Sequence, residues 1–439
     1  MLKTNRFTVA AALLAGSTIL SAGAGFAQEI SGDIVKIGVM ADQSGPYADN
    51  GGPGSVEAAK MAIEDFGGEV NGKKIELVIA DDQNKPDIGA AIAQKWVDQE
   101  GVDAIVGGSA SSIALAIQKI MAEKKKPYML AGTASSSLTN DACSPMGSQW
   151  VLDTYSLAKG VIKSMLAAGN DSFYFITVDY TFGKTWQADA TKFIEDGGGK
   201  VMGSVLHPLN TNDFSSYLLQ AQASGAKVIV LANSGADFAN AVKQAQEFGI
   251  QAGGQQVVAL GLQINQVHGI GLEAVKGMSM VTPGYWDLND ETRAFADKFK
   301  KRFRDRIPNE TMSGTYSAIT HYLKSVKEAG TDDGEKVVAK MHELPINDFQ
   351  MKDVKIRADG QVMRPMYAVT IKSPDEVKQP HATTTPSPPQ SRRKTSGGRP
   401  PKAPARSSNR PPKPAAGGHD LPAVFFSISM ERTGGCRFG

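Results

Sequence analysis

The chain has 439 residues, with 47 Lys or Arg against 45 Asp or Glu and a formal net charge of +2. The balance is uneven: residues 379–439 hold ten basic and two acidic side chains and residues 1–27 two basic ones, leaving 28–378 with 35 basic against 43 acidic, a net of −8. An acidic body excludes nucleic acid as a natural partner. Two cysteines, Cys143 and Cys436, supply neither the number nor the spacing for a metal site, and no structural disulfide is expected.

The chain opens with Lys3 and Arg6, continues through an apolar stretch from Phe7 to Leu20, and reaches small residues ending at Ala27. This order marks a secretory signal over 1–27, cleaved after Ala27. Its apolar run is too short to span a membrane comfortably. Gln28 rather than Cys follows, which argues against a lipoprotein anchor. An exported protein is expected.

Strands then alternate with helices. IVKIGVM (34–40) reads as a strand, and GSVEAAKMAIEDF (54–66) as a helix with Val56, Ala59, Ile63 and Phe66 on one face. Strands at 73–81, 102–108 and 127–132 alternate with helices at 87–99 and 112–124. The pattern restarts with helix 157–168, strand 173–179, helix 184–198, strand 200–208, helix 215–224, strand 227–233 and helix 236–249. Two more helices, over 291–303 and 313–330, precede late strands DFQMKDVKI (348–356) and MYAVTIK (366–372). Alternation of this kind implies parallel sheets joined by helical crossovers, hence an α/β fold built twice. From Gln379 to Gly418 the chain has no acidic residue and is rich in Pro, Ser, Arg and Lys. Such a segment, counted here as a tail over 379–439, cannot bury enough surface to order itself. The tail reads as the frameshifted remnant of an ordinary ending rather than as a nucleic-acid or lipid-binding arm, since no aromatic residues are interleaved with its charges.

Small, hydroxylic or aromatic residues recur where strands end. ADQSGPYADNGG (41–52) carries Tyr47, GSASS (108–112) carries Ser111 and Ser112, and GTASSS (132–137) carries Thr133 and Ser135. YTFG (180–183) supplies Tyr180 and Phe182, and SGAD (234–237) follows Asn233 with Ser234 and Asp237. In open parallel sheets ligands sit outside the carboxyl ends of the strands. A helix following SASS (109–112) turns free N–H groups and the positive end of its dipole toward that space, which suits a carboxylate. Taken singly, each loop could instead hold ordinary helix caps, Ser111, Ser112 or Asp237 among them. Catalytic motifs are missing: there is no G-x-S-x-G, H-E-x-x-H, C-x-x-C or G-x-G-x-x-G. FGKT (182–185) ends like a phosphate loop, but Val178 stands where its leading Gly belongs. No enzyme activity, cofactor or metal is expected.

The ordered set VKIGVMADQSGPYADNGGPGSVEAAKMAIEDFGG, LVIADDQNKP, VDAIVGGSASSIALA, LAGTASSSLT and TPGYWDLNDETRAF resembles the type I periplasmic solute-binding proteins. The Leu/Ile/Val-binding branch serving ABC importers is the nearer likeness, over about Val35 to Lys372. The resemblance implies two Rossmann-like lobes joined by three hinge crossovers: 30–153 plus 283–342, and 154–282 plus 343–373. It implies that Ser111, Ser112, Thr133 and Ser135 hold a ligand carboxylate. Tyr180, Phe182, Asn233, Ser234 and Asp237 would close from the second lobe. Gln263, Tyr285 and Trp286 would line the far wall, and Tyr47 would cap the pocket. It further implies a monomer in the periplasm, a small carboxylate or amino acid as ligand, and an ABC permease and ATPase complex of the inner membrane as partner. The same fold also serves ligand-sensing receptors. Where relatives place an acid for an amino acid's ammonium group, this chain has only Asp237 and, nearby, Gln263.

Overall fold

The computed structural model describes residues 30–378 and 381–386; the expected signal segment and most of the expected tail lie outside the described residues. In the first lobe β1 (Ile34–Ala41), α1 (Gly52–Phe66), β2 (Glu69–Val70), β3 (Lys73–Asp81), α2 (Pro86–Gln99), β4 (Ala104–Gly107), α3 (Ser111–Glu123), β5 (Tyr128–Leu130) and β6 (Gly147–Gln149) follow in order. They make one sheet ordered β2-β3-β1-β4-β5-β6. β1 lies inside it, parallel to both β3 and β4. Its side chains alternate between two apolar cores, Ile37 and Val39 on one face and Met40 on the other. Burial on both faces is why these strands read as continuous apolar runs.

The second lobe repeats the plan with α4 (Thr154–Ala167), β7 (Ser172–Val178), α5 (Thr181–Asp196), β8 (Lys200–His207), α6 (Ser215–Ala223), β9 (Val228–Ala232), α7 (Gly235–Glu247), β10 (Gln256–Ala259), α8 (Ile264–Ile270), α9 (Leu272–Val275) and β11 (Ser279–Thr282). Its parallel sheet runs β10-β9-β7-β8. α10 (Asp290–Arg302), α11 (Glu310–Ala329) and α12 (Gly334–Glu343) return to the first lobe, where Phe295, Phe299 and Met312 pack on Ala58 and Met61. The chain then crosses back to β12 (Tyr367–Ile371), which pairs antiparallel with β11 and with β13 (Thr384–Pro386). The expected α/β architecture of two lobes is present.

Four details differ from the sequence reading. Residues 348–356 form no strand; Ile346 bridges Val354 and Ile356 bridges Val362 as isolated pairs. These side chains join the core of the first lobe with Val35 and Tyr322, so 343–362 belongs there and not with the second lobe. Conversely Tyr285, Trp286 and Leu288 pack with the second-lobe core beside Val369 and Ile371, past the boundary expected at 283. Residues 381–386, expected in an unpacked tail, continue the β11–β12 sheet, with the Thr383 carbonyl accepting the Lys372 N–H at 2.8 Å. Cys143 is disulfide-bonded, where no structural disulfide was expected.

The crossovers at 150–154, 283–289 and 363–366 meet at one side chain. The Arg364 guanidinium, 9% exposed, donates to the Trp150 carbonyl at 2.8 Å, the Pro283 carbonyl at 2.9 Å and Gln350 Oε1 at 2.8 Å. Each acceptor comes from a different stretch of chain, and Arg364 itself sits on the third crossover. A planar fork of donors suits this task better than an ammonium. Burial pulls the guanidinium down to about 10, opposed by the charges of Asp348, Tyr367 and Glu310. Glu310, the first residue of α11, is buried in turn, and desolvation pushes its carboxyl from the ordinary 4.5 up to about 7.

Two outcomes follow from this junction. Arg364→Met keeps the volume but strands three acceptors, so urea denaturation should show a loss of about 3 kcal/mol or more; a loss below about 1 kcal/mol would contradict the clasp. For Glu310 the folded state holds its proton more tightly than the unfolded chain. Stability therefore falls as pH rises from about 4.5 to about 7 and levels off above. Glu310→Gln should flatten that part of the profile, by on the order of 2 kcal/mol at pH 8 relative to pH 4. Parallel wild-type and variant curves across this window would refute the assignment.

Candidate functional site

The two parallel sheets turn their carboxyl ends toward each other. The cleft between them is lined from both lobes. Four helices start on it. The residues preceding α1, α3, α5 and α7 are Gly51, Ala110, Tyr180 and Ser234; all four line the cleft, and none makes a side-chain capping hydrogen bond. The capping role weighed for Ser111 and Ser112 is therefore not what the structure holds: they are the first two residues of α3, beyond its cap position. Uncapped N-termini leave N–H groups and partial positive charge facing the cleft. One of them is spent between the lobes, where the Ala236 N–H donates to the Pro46 carbonyl at 3.4 Å.

Local chemistry fixes each loop. After β1, the buried Asp42 accepts the N–H groups of Gly45 at 2.6 Å and Tyr47 at 2.9 Å, which winds the turn that sets Tyr47 over the cleft. After β4, Gly107 has φ 109°, and a Cβ there would lie 2.1 Å from the Met40 carbonyl oxygen, so only glycine lets β4 end against β1. Ser109 then ties the loop down by donating its hydroxyl and N–H to Asp82, at 2.6 and 3.1 Å. After β5, Thr133 is 2% exposed and its hydroxyl has no hydrogen-bond partner. From the second lobe come Tyr180, Phe182 and Trp186, with ring centroids 5.8 Å apart for the first pair and 4.7 Å for the second.

The lobes touch across the cleft. The hydroxyls of Tyr47 and Tyr180 lie 2.8 Å apart, and Asn50 Nδ2 donates to Ser234 Oγ at 3.3 Å. Gln263 Nε2 donates to Thr311 Oγ1 at 3.1 Å, and Asn265 Nδ2 donates to the Asp49 carbonyl at 3.0 Å. Burial raises the pKa of both tyrosines well above the ordinary range, so they stay neutral. Among the described residues lining the cleft, Asp42 is the one charged side chain, and its oxygens are occupied by its own turn.

Of the thirteen residues singled out from the sequence, Tyr47, Ser111, Thr133, Tyr180, Phe182, Ser234 and Gln263 line the cleft. The others do not. Ser112 lies in the first turn of α3, off the lining. Ser135 sits one layer behind, where its N–H donates to Ser111 Oγ at 3.3 Å and its hydroxyl donates to Thr185 Oγ1 at 3.1 Å. Asn233 is turned to His207, Nδ2 to Nε2 3.0 Å. Asp237 lies behind the tyrosine pair, accepting the Asn210 N–H at 3.3 Å, and burial pushes its carboxyl up to about 6. Tyr285 and Trp286 are packed away in the second lobe and donate to the His381 carbonyl at 3.4 and 3.3 Å. Missed from the sequence were Asn50, Ser55, Ser109, Trp186, Thr311 and Thr315. Trp186 follows Phe182 by one helical turn, a spacing that could have been used. Thr311 and Thr315 come from α11, whose approach to the cleft no local pattern announces.

A comparison with known proteins gives the same picture. The profile of the family described as periplasmic binding protein matches residues 34–376. The chain is 26% identical over 317 residues to the Leu/Ile/Val-binding protein homolog 6 of Brucella melitensis, covering 70% of this chain and 79% of that one. A crystal structure of a periplasmic binding protein from Burkholderia mallei superposes with a TM-score of 0.78 at 42% identity, covering 81% of this chain and 95% of that one. A branched-chain amino acid ABC transporter periplasmic ligand-binding protein from Burkholderia xenovorans follows at 36% identity and a TM-score of 0.72, covering 81% and 94%. With two sheets facing across a lined cleft and a family match over nearly all of the described residues, this chain belongs to the periplasmic binding protein family, whose members hold solutes without transforming them.

Proposed function

We propose that this protein is the solute-binding component of an ABC importer and that it captures a small carboxylate by closing its lobes over it. The ligand is a branched-chain or other hydrophobic amino acid, or an aromatic or aliphatic acid. The observation that carries this reading is the convergence of four uncapped helix N-termini on a cleft whose Thr133 hydroxyl has no partner. Neutral donors fixed in place stabilise an anion without a counter-charge, because the dipoles are already oriented and little water competes. Leu152, Leu157, Phe182 and Trp186 give the ligand's apolar body a surface to leave water for.

Capture needs no chemistry. The carboxylate meets the first turn of α3 and Thr133 on one lobe. Tyr180, Phe182 and Ser234 arrive with the other. Closure is stabilised by contacts that exist only when both lobes engage the ligand. The closed surface is then what a permease and ATPase complex in the inner membrane recognises. Export by the N-terminal segment to the periplasm and action as a monomer complete the reading.

A thermal-shift screen of the full chain against amino acids, aromatic acids, short fatty acids and amides tests it. A ligand present at one hundred times its Kd should add about 2.7 kcal/mol of stability. Failure of every compound to raise Tm would end the proposal. For the best ligand, Thr133→Val should weaken binding by about 1–2 kcal/mol in calorimetry while leaving the unliganded protein's stability nearly unchanged, since no internal bond is removed. Unaltered affinity would exclude Thr133 from the site.

A further inference from the structure

Trp186 carries a second feature of the cleft. Its side chain is 1% exposed and lines the cavity, yet its indole N–H has no acceptor. A buried indole N–H normally finds one. Trp150 donates to Ser148 Oγ at 2.8 Å, and Trp286 to the His381 carbonyl at 3.3 Å. The ring is also seated with care. At Gly261 a Cβ would fall 2.0 Å from Trp186 Cη2, so the chain gives up a side chain there to admit the indole. Phe182 holds it from the other side at 4.7 Å between centroids. The neighbouring Thr185 is bonded across the lobes to Ser135.

We infer that Trp186 is a ligand-contacting, specificity-determining residue whose indole N–H donates to an acceptor atom of the bound acid. This rests on the solute-capture reading above. Among the described residues lining the cleft, two buried side-chain donors lack a partner, and they stand on opposite lobes: Thr133 after β5 and Trp186 on α5. An acid that satisfies both spans the cleft and favours the closed form over the open one. Its apolar part lies against the Phe182 and Trp186 rings, and its acceptors lie toward both donors. Ligands lacking an acceptor within reach of the indole are rejected, because they leave a buried donor unpaired.

Calorimetry on the full chain with L-leucine, 4-methylpentanoate, benzoate and 4-hydroxybenzoate tests this. For the tightest of the four, Trp186→Phe, which keeps an aromatic ring and removes the N–H, should weaken binding about tenfold or more. Wild-type protein labelled with 15N at its indoles gives a second measurement that does not depend on the variant folding. On saturation the Trp186 cross-peak should move downfield, with those of Trp96, Trp150 and Trp286, assigned by single substitution, as controls. Binding by Trp186→Phe within twofold of wild type, or an unmoved Trp186 peak, overturns the inference while leaving solute capture standing. If none of the four acids binds wild type while another compound stabilises it, the inference falls alone. If no compound of the wider screen binds, both fall.

Discussion

One buried guanidinium sets the geometry of everything else. A chain that crosses three times between two lobes leaves carbonyl groups at the crossings that no sheet can satisfy. Arg364 takes one from the first crossing and one from the second while standing on the third. The cost of desolvating its charge is visible in the depressed pKa and is offset by directed hydrogen bonds. The three crossings are thus tied together at one buried side chain.

The cleft is lined by oriented dipoles rather than by basic side chains. No basic side chain lines it among the described residues. Helix N-termini, a hydroxyl and an indole N–H supply the donors instead. This suits a carrier, which must let go of what it holds. A fixed ion pair in so dry a place would be hard to break, whereas neutral donors lose their grip once the lobes separate and water returns. The tyrosine pair fits the same logic. With both hydroxyls kept neutral by burial, the Tyr47–Tyr180 contact adds a hydrogen bond between the lobes without adding a negative charge to the cleft.

Local sequence was most reliable where a residue's neighbours in the chain determine its place. Tyr47, Ser111, Thr133, Phe182 and Ser234 follow directly on strand ends, and strand ends in a parallel sheet share one edge, so all five reached the cleft. It was least reliable for their near neighbours in the same loops. Ser135 and Asn233 occupy similar loops, but a single peptide unit's difference in direction turns them to Thr185 and His207. Tyr285 and Trp286 looked like wall residues because they flank a crossover. The packing of β12 and of residues 381–386 draws them into the second lobe instead.

The sequence by itself determined the doubly built α/β plan, because the alternation of apolar strands with one-faced helices is a local pattern that parallel sheets require. It also determined the neutral, hydroxyl-rich character of the loops at the strand ends. Only the tertiary structure decided where the third crossing falls, since Ile346, Val354 and Ile356 look equally at home in either core. Only it showed that Arg364 joins three crossings, and that the indole of Trp186 and the threonines of α11 face the ligand space. Those facts depend on separate segments of the chain coming into contact, such as Arg364 with Trp150, and no periodicity within a segment encodes which other segment it will meet.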